Sequence, residues 1–246
     1  MRPVLSIYRK ELAGFFSSFI GYLAIGVFLL LLGLIMFVFP DTSLLNYNYA
    51  SLDQLFELAP WVFLILIPAI TMRALAEERQ QRTLELLLTY PLTPTQIVLG
   101  KYFACLTIAL LALVPTLIYF YTVYELGSPR GNLDIGGTIG SYIGLSFLAG
   151  IFCAIGLFAS SLTQNQITGF LLSAILCFLV HYGFEYISDL PVFVGKVDNV
   201  LQQLGIEHHY RSVSRGLLVV PDIVYFISVA GWFLYSTILR VKAEQR

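Results

Sequence analysis

Apolar residues run along this chain in stretches too long and too free of charge for the faces of a water-soluble domain. The first covers 19–39 without one charged side chain and closes at Pro40-Asp41. Twenty-one residues at a helical rise of about 1.5 Å cross roughly 30 Å, the thickness of bilayer hydrocarbon. The stretch is too long for a signal peptide and lacks a small-x-small cleavage site, so it reads as a retained anchor. Further runs cover 58–72, 97–124, 142–162, 167–182 and 223–239, which predicts six spans. The second is short, with Pro60 suited to its first turn and Pro68 placed to kink it. Thr163-Gln164-Asn165-Gln166 leaves room for only a tight turn between the fourth and fifth.

The segments between the runs carry their own patterns. Val4, Leu5, Tyr8, Leu12, Phe15, Phe16 and Phe19 recur at three- and four-residue steps, the helical period, with Arg9, Lys10 and Glu11 on much of the other face. This predicts an amphipathic helix lying in a leaflet interface, with Gly14 and Gly21 as places to turn. Between the second and third runs, Glu77, Glu78, Arg79 and Arg82 form a charged turn, and Leu84, Leu87 and Leu88 an apolar stripe beside Glu85. Pro91 stops that helix, and Thr93-Pro94-Thr95-Gln96 restarts one, with Thr93 as cap and Pro94 in first position. A short helix between two breaks could transmit force to both spans; a solvated, salt-bridged loop fits the same residues. In the long connection 183–222, Phe193, Val197, Val200, Leu201 and Leu204 share a helical face, and an apolar stretch 216–220 follows. Neither can cross a bilayer, and two short helices dipping into the outer leaflet satisfy both.

Composition narrows the classes. Apolar residues make up 58% and charged residues 12%, where soluble domains carry about 25% charge. Fourteen basic residues against fifteen acidic ones leave no basic face for nucleic acid. Placing both termini in the cytoplasm puts ten of the fourteen basic residues and five of the fifteen acidic ones inside, an orientation the positive-inside rule prefers. Cys105, Cys153 and Cys177 fall in apolar runs without metal spacing and read as small core residues. Glu207-His208-His209 has metal-ligand residue types, but adjacent histidines diverge on a helix and no second pair stands near; they read as polar interface residues. Thr107, Thr116, Tyr119, Ser160, Ser161, Thr168, Ser173 and His181 are polar groups near membrane depth, suited to bonds across helices. Glycines 136, 137, 140, 144 and 150 mark close contacts. No Gly-x-x-x-x-Gly-Lys-Ser/Thr loop and no Ser-His-Asp pattern occurs, so energy for work against a gradient must come from a partner.

Several stretches together resemble ABC-2-type ABC transporter permeases, and within them the gliding-motility-associated permease subunits of bacteria. They are Arg9-Lys-Glu-Leu12 with Phe15-Phe-Ser-Ser18, Ala69-Ile-Thr-Met-Arg73, Thr83-Leu-Glu-Leu-Leu-Leu-Thr-Tyr-Pro91 and Gln96-Ile-Val-Leu-Gly-Lys101. Gly140-Ser-Tyr-Ile-Gly144, Ile155-Gly-Leu-Phe-Ala-Ser-Ser-Leu-Thr163, His209-Tyr210 and Ser212-Val-Ser-Arg-Gly216 extend the likeness along nearly the whole chain. The resemblance implies an all-α polytopic membrane protein forming one transmembrane domain over 1–246. It would have an interfacial connecting helix (1–18), a cytoplasmic coupling region (73–96), six transmembrane helices and short extracytoplasmic re-entrant helices (183–222). It implies the bacterial inner membrane, a cytoplasmic ATP-binding subunit that carries ATP and Mg, and no cofactor in this chain. A second permease copy or homologue and a periplasmic accessory subunit are the further partners. Carried over, Arg9, Lys10 and Glu11 belong to the connecting helix, and Glu77, Glu78, Arg82, Thr83, Leu84, Glu85 and Pro91 to the coupling region. Export of a drug, lipid or polysaccharide and a structural role in a motility or secretion machine are the alternatives. One departure stands out: the family commonly has glycine where this chain has Arg82, which predicts a more regularly helical loop.

Overall fold

The computed structural model describes residues 2–39, 51–83, 92–127, 129–191, 198–217 and 219–244, and all regular structure among them is helical. The helices are α1 (Arg2–Phe16), α2 (Phe19–Phe37), α3 (Asp53–Gln80), α4 (Pro94–Leu113), α5 (Leu117–Leu126) and α6 (Ile135–Leu162). They continue as α7 (Gln166–Phe178), α8 (Phe184–Ser188), α9 (Asp198–Leu204), α10 (Ile206–Val213) and α11 (Val220–Ala243). A 3-10 turn at Val114–Thr116 joins α4 to α5, and a π turn at Leu179–Gly183 joins α7 to α8.

Five continuous helices are long and apolar enough to cross a bilayer: α3, α4 with α5 (33 residues), α6, α7 with α8 (23 residues) and α11. Pro3–Phe16 and Gly21–Phe37 form a pair bent by 70°, and the count is six where that pair is taken as one broken span. The bend falls at Ser17-Ser18 and depends on Gly21, where a Cβ would sit 2.5 Å from the Phe15 carbonyl oxygen.

The structure corrects several expected boundaries. α3 begins five residues before the predicted run and continues through both Pro60 and Pro68, so Pro60 is internal rather than in the first turn. It also runs on through Arg73–Gln80, because Arg73 and Glu77 pair one turn apart and favour helix over a break. The charged residues Glu77–Arg79 thus belong to the end of the span itself, a turn follows at Gln81-Arg82, and the expected short helix of Leu84, Leu87 and Leu88 lies outside the described residues. α6 starts at Ile135, capped by Asp134, whose carboxylate accepts from the Gly137 amide at 2.9 Å. In 183–222, the second short helix is Ile206–Val213, ahead of the apolar stretch expected to form it, and Phe193 and Val197 lie outside the described residues. The restart at Thr93 forms as the spacing predicts: Thr93 Oγ1 accepts from the Gln96 amide (3.3 Å) and Gln96 Oε1 from the Thr93 amide (3.1 Å).

α6 is the central strut. Of its apolar stretch 78% is buried, against 28% in α7–α8 and in α11, and it packs on α3, α4, α7 and α11. Glycine makes this possible. A Cβ on Gly156 would lie 2.1 Å from Thr71 Oγ1 of α3, and one on Gly144 would lie 2.4 Å from Val213 of α10. Small residues substitute for the hydrophobic drive that lipid does not supply between spans. Polar bonds across helices add to this. Thr116 Oγ1 meets Tyr142 Oη at 3.1 Å, Tyr119 donates to the Leu29 carbonyl at 3.2 Å, and Tyr8 Oη meets Thr107 Oγ1 at 3.2 Å.

Gly156→Ala forces α3 and α6 apart and destabilises the detergent-solubilised protein by about 1–3 kcal/mol. Gly231→Ala, with nothing within 4 Å of the added methyl, is neutral or stabilising by up to about 1 kcal/mol. Denaturant titration of both variants checks the contrast.

Candidate coupling site at the terminal face

α1 and the C-terminal end of α11 lie at one end of the bundle, here the terminal face, with the C-terminal end of α3 and the N-terminal end of α4. The charged residues of that face are organised around Lys101. Its side chain is 1% exposed, and Nζ lies 2.8 Å from Glu11 Oε1 of α1 and 3.0 Å from Glu78 Oε2 of α3. Lys10 Nζ reaches the other oxygen of Glu78 at 3.2 Å. A buried ammonium has a large desolvation cost, and two carboxylates offset it only while all three helices stay in place. α1 is seated on α4 at the same level: a Cβ on Gly100 would lie 2.9 Å from Ile7, so glycine there permits the contact.

Two further links fix the end of α3. Arg79 pairs with Glu244 beyond the end of α11, and Arg73 reaches Ser18 Oγ at the α1–α2 bend at 3.4 Å. From α6, Ser160 Oγ accepts from the Leu75 and Ala76 amides (3.1 and 3.0 Å) and donates to the Met72 carbonyl (3.1 Å). One hydroxyl thus holds the backbone of α3 where its apolar stretch passes into the charged turn.

The expected site residues separate into groups. Lys10, Glu11 and Glu78 meet at Lys101, and Glu77 pairs with Arg73. Arg9 is exposed and takes no part in these pairs. Thr83 donates to the Glu78 carbonyl at 3.3 Å. Leu84, Glu85 and Pro91 lie outside the described residues. Arg82 corrects the expectation of a regular helix: it adopts φ +55°, in the left-handed region, and α3 ends two residues before it. The chain turns at Gln81-Arg82 with a backbone conformation that glycine adopts more readily, and the arginine side chain there is exposed. Lys101, Arg79 and Ser160 were missed as site residues. Lys101 had one sequence signal, a lone charge just inside an apolar run, which has to find a partner.

The opposite end, the far face, holds a cavity of about 810 Å³. Glu57 and Trp61 of α3, Asp134 before α6, Tyr182 of the π turn, and Glu207 and Arg211 of α10 are among its walls. Tyr210 of α10 donates to the Phe56 carbonyl of α3 at 2.6 Å, and Ser141 of α6 to the Ser214 carbonyl at 2.8 Å. His181, fully buried, brings Nε2 to 3.1 Å from Glu207. Burial alone would raise the Glu207 carboxyl, but the His181 imidazole and the Arg211 guanidinium outweigh it and hold the group below its ordinary range. Its contribution to stability is therefore present above that range and lost as pH falls through the lower folded value. Among the described residues no three His, Cys, Asp or Glu side chains converge as a metal site.

A helical bundle of this length and apolarity, knotted by charge at one face and hollowed at the other, is a multi-pass membrane protein. The sequence profile of the ABC-2 family transporter proteins matches residues 39–204, and the chain belongs to that family. It is thus a permease-type membrane protein. A search of curated proteins found no match.

Lys101→Met leaves Glu11 and Glu78 facing one another without a cation and costs about 3–5 kcal/mol, and adding Glu11→Gln and Glu78→Gln recovers most of it. Arg82→Gly relieves the left-handed backbone and is neutral or stabilising by up to about 1 kcal/mol after the entropy of the unfolded chain is counted. Denaturant titration in mild detergent reads both.

Proposed function

We propose that the chain is the membrane-spanning permease subunit of an ATP-driven exporter linked to bacterial gliding motility. ATP is bound and hydrolysed on a separate subunit that docks on the terminal face. The observation that carries this reading is the ion-pair knot Glu11–Lys101–Glu78. Movement of the segment 73–96 cannot be absorbed by α3 alone, since Lys101 ties it to α4 and α1. A push from below is passed to three helices together, and a bundle with two packings changes its population when a partner contacts them differently. The matched family supports the transporter part of the reading. The link to gliding rests on the fuller pattern of resembling stretches along nearly the whole chain.

In this arrangement the terminal face is cytoplasmic, which sets the basic majority inside the bacterial inner membrane. α1 lies along the inner leaflet, with Arg9 free to meet lipid headgroups or the ATP-binding subunit. The 73–96 region, Arg82, Thr83, Leu84, Glu85 and Pro91 included, forms the docking surface. A second permease, identical or homologous, completes the pathway, and the far-face helices α9 and α10 meet the periplasm and any accessory subunit there.

Affinity purification in mild detergent brings down an ATP-binding subunit with this chain; a chain recovered repeatedly alone speaks against the reading. In the reconstituted complex, the neutral triple variant Glu11→Gln, Lys101→Met, Glu78→Gln still assembles, and transport per ATP hydrolysed falls. Unchanged transport in that variant removes the knot from the mechanism. A cysteine at position 82 reacts with an impermeant maleimide only from the cytoplasmic side.

A further inference from the structure

His208 and His209 stay outside the coupling mechanism, yet His209 has the most completely partnered ring on the far face. Its Nδ1 lies 2.7 Å from Asp222 Oδ1 in the first turn of α11, and its Nε2 lies 2.9 Å from the Gln203 carbonyl oxygen of α9. Both neighbours are acceptors. A neutral imidazole carries one N–H and would turn a lone pair toward one of these oxygens; the doubly protonated ring satisfies both. Tyr225 of α11 supports the cation, its ring stacked on His209 at 4.0 Å between centroids and 23° between planes.

The remaining groups around the ring fit the same state. Asp222 is buried, and its second carboxylate oxygen accepts from Ser212 Oγ of α10. Tyr225 Oη is occupied by the Leu204 carbonyl at 2.6 Å. His208 presents its ring edge-on at 5.4 Å. The titratable groups facing His209 are thus Asp222 and Tyr225 from α11 and His208 from its own helix, with α9 offering only carbonyl oxygen.

We propose that His209, as an imidazolium, is a proton-dependent clasp that holds the α9–α10 hairpin to the first turn of the last span. Loss of one ring proton leaves two acceptors for one N–H, so either Gln203 or Asp222 is released. The position of α10 gives the clasp a consequence. Glu207, Tyr210, Arg211 and Ser214 of this segment face the 810 Å³ cavity, while His208, His209 and Ser212 face a separate cleft shared with Tyr225 and open to solvent. α10 is therefore the partition between them, and loosening the clasp loosens one wall of the cavity. His209 acts as a positioning residue through α10. The inference rests on the far-face geometry and is independent of which ATP-binding subunit the chain meets.

The full chain in lipid nanodiscs, labelled with ¹⁵N-histidine, tests it. The His209 signals are identified by their loss in His209→Gln. At pH 6 both ring nitrogens of His209 show the protonated shift. Backbone exchange over 203–213, corrected for its intrinsic pH dependence, accelerates roughly tenfold or more as pH rises across the range in which imidazoles discharge. In His209→Gln the exchange is fast at every pH, and in Asp222→Asn the acceleration moves to lower pH, since the carboxylate no longer supports the cation. A ring that is neutral wherever the hairpin is protected overturns the proposal. So does acceleration in His209→Gln that follows pH as in the wild type. If the variants fail to fold, ring protonation and exchange in the wild-type chain, measured together across pH, still decide it.

Discussion

A single ammonium group, buried where the membrane-spanning part of the bundle gives way to its charged end, organises this molecule. Lys101 cannot be solvated by water at 1% exposure, and no apolar neighbour can replace that solvation. Glu11 and Glu78 do so from two other helices, so α1, α3 and α4 are bound to one arrangement at that face. The ends of α2 and α11 are drawn into the same layer through Ser18 and Glu244. The terminal face is therefore stiff by electrostatics, where the far face is stiff by a different means.

At the far face the helices are short and the links are many. α10 is held to α3 by Tyr210, to α6 by the Ser214 carbonyl and by Gly144 opposite Val213, to α8 by the Arg211–Glu185 pair, and to α11 by His209 and Ser212. None of these is a buried lysine with two carboxylates, and one of them is a histidine ring held between two acceptors. One face thus transmits displacement as a unit, and the other can be loosened bond by bond. Between them α6 is packed against its neighbours through glycine, alanine and serine, so that a shift of α3 at Thr71 and Ser160 has little slack to absorb it.

Arg82 shows where reasoning from residue type misleads. An arginine in place of a glycine argues for continued helix when only local preference is considered. The structure ends α3 at Gln80 and gives Arg82 a glycine-like φ of +55°. The opposite error occurs at Pro60 and Pro68. Proline argues for a boundary and a kink, yet both lie inside one 28-residue helix. Packing of α3 against α6, α7 and α2 outweighs the lost backbone bonds, and neighbouring helices are what make proline tolerable in a span.

The order of apolar runs, the cap at Thr93, the tight turn before Gln166 and the amphipathic start were legible in the sequence, because each depends on residues near one another along the chain. A helix in lipid must satisfy its backbone internally, so a run of about twenty apolar residues leaves few alternatives. The partners of Lys101, the hydroxyl of Ser160 against α3 and the two acceptors around His209 were not legible. Those contacts join residues from 6 to 90 positions apart, and nothing in the local pattern of a lysine, a serine or a histidine says which distant carboxylate or carbonyl will face it. Only the packing of the helices brings those groups within hydrogen-bonding distance, and that packing decided which charged and polar residues became links and which, like Arg9, stayed exposed.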